Sequence, residues 1–271
     1  MTIYFIFIVL LISFSNGQRT NQKKCSSADY NPQVSKAGQY PWVVAILDQR
    51  DWIHLYIGVG SLIAKNLVLT SVRILNDTSE ADLLVRGGEY DYSTDKDQHH
   101  DDVEVEMIRR HEGFDERTAT NNIALLVLKS AFDGNTNVGT ICLPPPTGFT
   151  AFDGSTCFFN GWGKAKFDSE DYPSILKKTD ITVISREECV RAIGAPVPTQ
   201  LLCGTGLQGK DSDGDGGAPL VCIIQDQFYQ VGIVNWGKQN ATETKPIFYT
   251  KLEVFRSWID QQIVIIRQTL K

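Results

Sequence analysis

From Tyr40 to Tyr249 the chain is a succession of short apolar runs, each soon stopped by turn-forming residues. Pro41 to Leu47 is one such run. Ser61-Leu62-Ile63 and Leu67-Val68-Leu69 form a pair broken by Lys65-Asn66, the pattern of a hairpin. Val103-Glu104-Val105-Glu106-Met107 alternates strictly, as a half-buried strand does. Ile123 to Leu128 is apolar throughout, which suits a strand buried on both faces, and Val231–Trp236 and Ile247–Tyr249 look similar. Turn residues recur at Gly87-Gly88, Asp133-Gly134, Pro144-Pro145-Pro146 and Asp153-Gly154. Many short strands with frequent turns predict a sandwich or a barrel. One helix is expected. Leu252, Phe255, Ile259, Ile263 and Ile266 recur at spacings of three and four, with Trp258 on the same flank. It would close the chain and pack one face on the last strands.

At 271 residues, 42% hydrophobic, the chain can bury a sizeable core. Its net charge is -6 and no basic cluster stands out, which argues against nucleic acid or an anionic membrane surface as a partner. Ile3 to Phe14 is apolar but shorter than the roughly 20 residues that span a bilayer. Ser15-Asn16-Gly17 follows it, so residues 1–17 read as a signal peptide of a secreted, extracellular protein. The polar residues 18–36 read as an arm, 37–262 as one domain and 263–271 as a tail. All six cysteines lie beyond the signal, an even count that suggests disulfides, and no CxxC pair suggests zinc. Asn76-Asp77-Thr78 and Asn240-Ala241-Thr242 are glycosylation sequons among polar residues.

Several segments together resemble the trypsin and chymotrypsin family. They include Pro41-Trp42-Val43-Val44, Gly60-Ser61-Leu62-Ile63, Val68-Leu69-Thr70, Asn122 to Leu126, Ile141-Cys142-Leu143-Pro144 and Cys157 to Gly163. Gly214 to Cys222, Asn235-Trp236-Gly237, Tyr249-Thr250-Lys251 and Trp258-Ile259 continue the series in order. The resemblance implies an all-β fold of two six-stranded antiparallel β-barrels with a C-terminal α-helix. It also implies where a catalytic serine, histidine and aspartate would stand.

At those places the chain has other chemistry. Arg73 follows Leu69-Thr70-Ser71-Val72 in the histidine's place, and a guanidinium has no lone pair to accept a proton. Asn122 stands for the aspartate, and an amide carries no charge to stabilise an imidazolium. Gly216 stands for the serine and has no side chain. Cys222 and Ile123-Ala124-Leu125-Leu126 hold the register. The backbone N–H groups of Gly214 and Gly216 are left as an oxyanion-hole-like pocket with no charge to stabilise. Ser212 is the nearest alternative hydroxyl, and none of His54, His99, His100 and His111 stands at the base position.

The family pattern pairs Cys25 with Cys142, Cys157 with Cys222 and Cys189 with Cys203. Two further family bridges are missing in both halves. One would join positions 58 and 74, here Gly58 and Ile74; the other would join 212 to a residue in 238–244. Both flank the expected cleft, which should then be looser than in an active protease. Active relatives are cut before an Ile-Val-Gly-Gly start whose new amino terminus pairs with the aspartate before the serine. No such start exists here, so Asp215, if buried, needs another partner. The specificity-pocket floor is Lys210, read as pointing to solvent.

Asp211 to Gly216 matches half of an EF-hand loop, but its twelfth position is Cys222. Glu89 to Glu106 is dense in acids and lies where some relatives bind calcium; a solvated acidic loop is the preferred reading. No cofactor or metal is expected. The pattern is similar to the non-catalytic serine protease homologues of arthropod blood, cofactors or modulators in cascades such as immune melanisation. Many of those carry an N-terminal clip domain, for which the stretch between residue 18 and Cys25 has no room. The expected partners are extracellular proteins: proteases, zymogens or their substrates. A secreted decoy or inhibitor of proteases, and an active endopeptidase, are the competing readings.

Overall fold

The computed structural model describes residues 36–50, 53–94, 99–132, 137–145, 154–164, 172–206, 214–236 and 246–270. Its strands close into two antiparallel barrels of six strands each, as the resemblance implied. The first contains β1 (Val43–Asp48), β2 (Leu55–Ala64), β3 (Leu67–Thr70), β4 (Leu83–Gly87), β5 (Asp101–Arg110) and β6 (Ala124–Leu128). The second contains β7 (Thr156–Gly161), β8 (Lys177–Ile184), β9 (Leu201–Gly206), β10 (Pro219–Ile224), β11 (Gln227–Trp236) and β12 (Ile247–Lys251). Around the first barrel the order is β1-β2-β3-β6-β5-β4, and around the second β10-β11-β12-β9-β8-β7.

The local patterns explain these elements. β2 and β3 form the hairpin, with Ser61 opposite Leu69 and Lys65-Asn66 in the turn. On β5, Val103 and Val105 are buried while Glu104 and Glu106 are exposed. Every residue of β6 is buried, because β3 and β5 flank it and the C-terminal helix packs across its outer face. α2 (Leu252–Thr269) buries Leu252, Phe255, Ile259 and Ile266. It runs on past the domain boundary set at 262, because Ile263 and Ile266 continue the apolar stripe, as their spacing predicts.

A second α-helix, α1 (Arg186–Ile193), is not expected from the sequence. Its signal is a capping box. The Ser185 hydroxyl accepts from the Glu188 N–H, the Glu188 carboxylate accepts from the Ser185 N–H, and Gly194 ends the helix in the left-handed conformation. With one apolar turn buried around Cys189, its periodicity is too short to stand out. Replacing Ser185 by alanine should cost about 1 kcal/mol, read as a shift in the denaturation midpoint.

Two of the implied disulfides are present. Cys157–Cys222 ties β7 to its neighbour β10, and Cys189–Cys203 ties α1 to β9. Cys142 is disulfide-bonded too, and its expected partner Cys25 lies outside the described residues. One core cluster spans both barrels, from Trp42 and Val59 to Phe158, Trp162 and Tyr249. The Ser61 hydroxyl donates to Gln230 Oε1 at 2.6 Å across the same seam, so the barrels share an interior.

Candidate functional site at the seam of the barrels

Three segments meet at the seam. A single 3-10 turn, Arg73–Leu75, follows β3; Asn122 precedes β6; and the turn 214–217 leads into β10. The Arg73 N–H donates to Asn122 Oδ1 at 2.9 Å. Asn122 is fully buried, and its Nδ2 donates to Asn235 Oδ1 at 2.6 Å. Asn235, near the end of β11, donates through Nδ2 to the Ala119 carbonyl at 2.7 Å. Thr250 Oγ1 donates to the Asn122 carbonyl at 3.0 Å. Each buried amide thus has its donor and its acceptor matched without any charge. Asn235 belongs to the Asn235-Trp236-Gly237 segment, but nothing in the sequence marks it as a site residue; only the fold brings it to Asn122.

Gly216 lies in a tightly held turn. Its carbonyl accepts from the Val59 N–H at 2.9 Å, and the Asp215 carbonyl accepts from the Ala218 N–H at 3.0 Å. The Gly217 N–H donates to the Val234 carbonyl at 3.0 Å, and the Tyr56 hydroxyl donates to the Gly214 carbonyl at 2.7 Å. Burial above all, and then the Asp215 charge, hold the Tyr56 phenol well above its usual range, so it stays a donor. Gly217 has φ +84°, and a Cβ there would lie 2.2 Å from both Thr70 Oγ1 and the Val59 carbonyl. Gly217→Ala should therefore cost about 3 kcal/mol or more, measured by chemical denaturation.

Ile74 gives the seam its shape. Its Cγ2 lies 2.8 Å from where a Cβ on Gly216 would stand, and its Cδ1 lies 2.8 Å from the Cβ position of Gly58. One isoleucine thus packs against both glycines. Where the 58–74 bridge would be, Ile74 packs against the backbone at Gly58. The second bridge position, Lys210, Ser212 and the sequon at Asn240 lie outside the described residues. Asn76, in the first sequon, is exposed just after the 3-10 turn.

Asp215 is completely buried and has the partner the sequence left open. Lys177, the first residue of β8, forms an ion pair with its Oδ2, and the Gly163 N–H donates to Oδ1 at 2.8 Å. The same ammonium donates to the Gly163 carbonyl at 2.5 Å. Lys177 supplies the cation that active relatives take from a freed amino terminus. With its carboxylate so engaged, Asp215 is no part of an EF-hand site. Sequence alone could not select Lys177, since the adjacent Lys178 instead pairs with Asp180 and lies 5.3 Å from the centre of the Phe158 ring.

Within the acidic stretch Glu89 departs from the reading as a solvated loop, while Asp102, Glu104 and Glu106 are exposed on β5. Glu89 is only 6% exposed, with Arg86 Nη1 at 3.4 Å and His100 Nδ1 at 3.5 Å. Arg86 also forks onto Asp102 at 2.7 and 2.8 Å. An internal cation, Arg86, therefore meets Glu89 and Asp102 in the stretch where some relatives bind calcium. Of the other histidines, His54 is exposed, His99 pairs with Asp101, and His111 packs against Trp258 and edge-on to Phe255.

Two closed six-stranded barrels, with the site on their seam and a helix at the C-terminus, make this a chymotrypsin-like protein. The Trypsin family model matches residues 30–259, and the chain belongs to that family. It is 34% identical over 251 residues to phenoloxidase-activating factor 2 of Galleria mellonella, covering 84% of this chain and 82% of that one. It is 34% identical over 240 residues to the inactive CLIP domain-containing serine protease A3 of Aedes aegypti, covering 83% of this chain and 49% of the relative. Against the inactive CLIP domain-containing serine protease A28 of Anopheles gambiae it is 33% identical over 247 residues, 86% of this chain and 64% of the relative. The chain thus spans about half to two thirds of the length of these two inactive relatives.

Proposed function

We propose that this chain is a secreted, non-catalytic regulatory protein that binds proteins of an extracellular proteolytic cascade as a cofactor or modulator. The observation that carries the reading is the uncharged Asn122–Asn235 pair beside Arg73 and Gly216. Among the described residues, Arg73, Asn122 and Gly216, at the three catalytic positions, offer neither a base to take a nucleophile's proton nor a group to attack a carbonyl. The likeness to an activating factor and to proteases named inactive supports the regulatory role. The even set of cysteines and the apolar residues 3–14 support secretion.

Two measurements test it. A fluorophosphonate probe should leave the purified protein unlabelled, and a labelled band lost on denaturation would overturn the non-catalytic reading. Added to a zymogen and its activating protease, the protein should raise the rate of activation or redirect its product. Inhibition of the authentic protease would identify a decoy instead.

A further inference from the structure

We propose that α2 carries a self-association face, on which a second copy of this chain docks its own α2 in the antiparallel sense. The helix has two apolar sides. Leu252, Phe255, Ile259 and Ile266 face the barrels. Val254, Trp258, Gln261, Ile265 and Gln268 follow one another at spacings of four, three, four and three, so they line a second stripe. Val254 is 48% exposed and Ile265 40% exposed, too much apolar surface for a face that only meets water. Trp258 is part-exposed and already held in place. Its Nε1 donates to Glu112 Oε2 at 3.3 Å, and its ring centre lies 5.1 Å from that of His111. An aromatic anchor fixed before binding loses little freedom on docking. In the last turns, Ile263-Val264-Ile265-Ile266 makes the helix apolar all round, and such a helix is ordinarily covered.

Charge and symmetry select a second copy as the occupant. The chain carries -6, so two copies repel unless they meet on a neutral surface. The stripe is uncharged from Val254 to Gln268. Glu253, Arg256, Asp260 and Arg267 all fall on the other side of the solvent face, where Arg256 pairs with Asp260. Glu112, at the border, is engaged by the Trp258 indole. A partner recognised by charge has nothing to pair with on the stripe, whereas a copy of the stripe fits it. A two-fold axis between Gln261 and Gln262 sets Trp258 on the partner's Ile265, Val254 beside the partner's Thr269 and Gln261 beside the partner's Gln262. Aromatic then meets aliphatic, methyl meets methyl, and each amide offers both a donor and an acceptor. Every contact is returned by its twin, as a closed dimer requires. About 22 Å of helix is engaged, which places the pair among small, reversible interfaces.

The test is sedimentation equilibrium of the full, disulfide-bonded protein between about 1 and 300 µM. A reversible dimer with a Kd of about 10–100 µM is expected. Ile265→Glu, at an exposed position, should weaken it about tenfold or more, while Arg267→Gln, on the charged side, leaves it unchanged. Val254→Lys should also weaken the dimer, and adding Thr269→Glu should restore it. The two new charges stand about 22 Å apart on one helix and meet only across the two-fold. Circular dichroism reports that each variant keeps the fold. A monomer throughout the range, a dimer indifferent to Ile265→Glu, or no rescue of Val254→Lys by Thr269→Glu would overturn the proposal. None of these results depends on the chemistry of the seam, so the non-catalytic reading and this one can fail separately.

Discussion

Replacing Lys177 by methionine should lower the stability of this protein by about 3–5 kcal/mol. Asp215 is completely buried, and its carboxylate is held by the Lys177 ammonium and the Gly163 N–H. Removing the ammonium leaves a buried charge without its countercharge. The methionine stem still fills the space, so the loss reports the ion pair and not a cavity. For a domain of this size the melting temperature should fall by about 10 °C. Adding Asp215→Asn to Lys177→Met should recover part of the loss, because the uncompensated charge is gone. A melting temperature unchanged in Lys177→Met would show that Asp215 is held without its lysine. The pair matters because it is complete within the chain as synthesised. Turn 214–217 reaches its arrangement with no new amino terminus.

The second large effect is expected at Asn122. Asn122→Asp, the change toward the aspartate of active relatives, should destabilise by about 2–4 kcal/mol. Asn235 presents its oxygen to residue 122 at 2.6 Å, while its nitrogen is committed to the Ala119 carbonyl. A carboxylate there would face an acceptor, and flipping the Asn235 amide would set its oxygen against the Ala119 carbonyl. The Arg73 N–H would remain as one donor. Asn122→Asp combined with Asn235→Ser, which offers a hydroxyl donor, should recover much of the loss. Denaturation of the two variants side by side checks this; equal stability of Asn122→Asp and the parent would contradict the role given to Asn235. By the same logic, restoring histidine, aspartate and serine at 73, 122 and 216 should not produce a protease. A serine Cβ at 216 would stand 2.8 Å from Ile74 Cγ2, and Asn235 would still oppose the aspartate.

Much of the fold is legible in the residue pattern alone. The alternation of residues 103–107 and the continuous run 123–128 each announce their strand, since periods of two and unbroken apolar runs report local burial. The α2 stripe does the same, through Ile263 and Ile266. α1 escapes the pattern because its eight residues bury only Cys189 and its signal lies in capping, not in periodicity. Glu89 misleads because its neighbour in space, Arg86, is three residues away on a strand whose direction only the fold supplies.

What the sequence determined by itself is the chemistry available at positions 73, 122 and 216. A guanidinium without a lone pair, a neutral amide and a missing side chain are properties of the residues, whatever surrounds them. Tertiary structure alone decided how that loss is accommodated. Asn235 meets Asn122 across 113 residues of sequence, and Lys177, not Lys178, reaches Asp215. Ile74 packs against two glycines, at 58 and 216, that stand far from it in the chain. Charge and lone pairs are carried by each residue, whereas satisfying a buried polar atom or filling a gap depends on neighbours that only the closed barrels bring together.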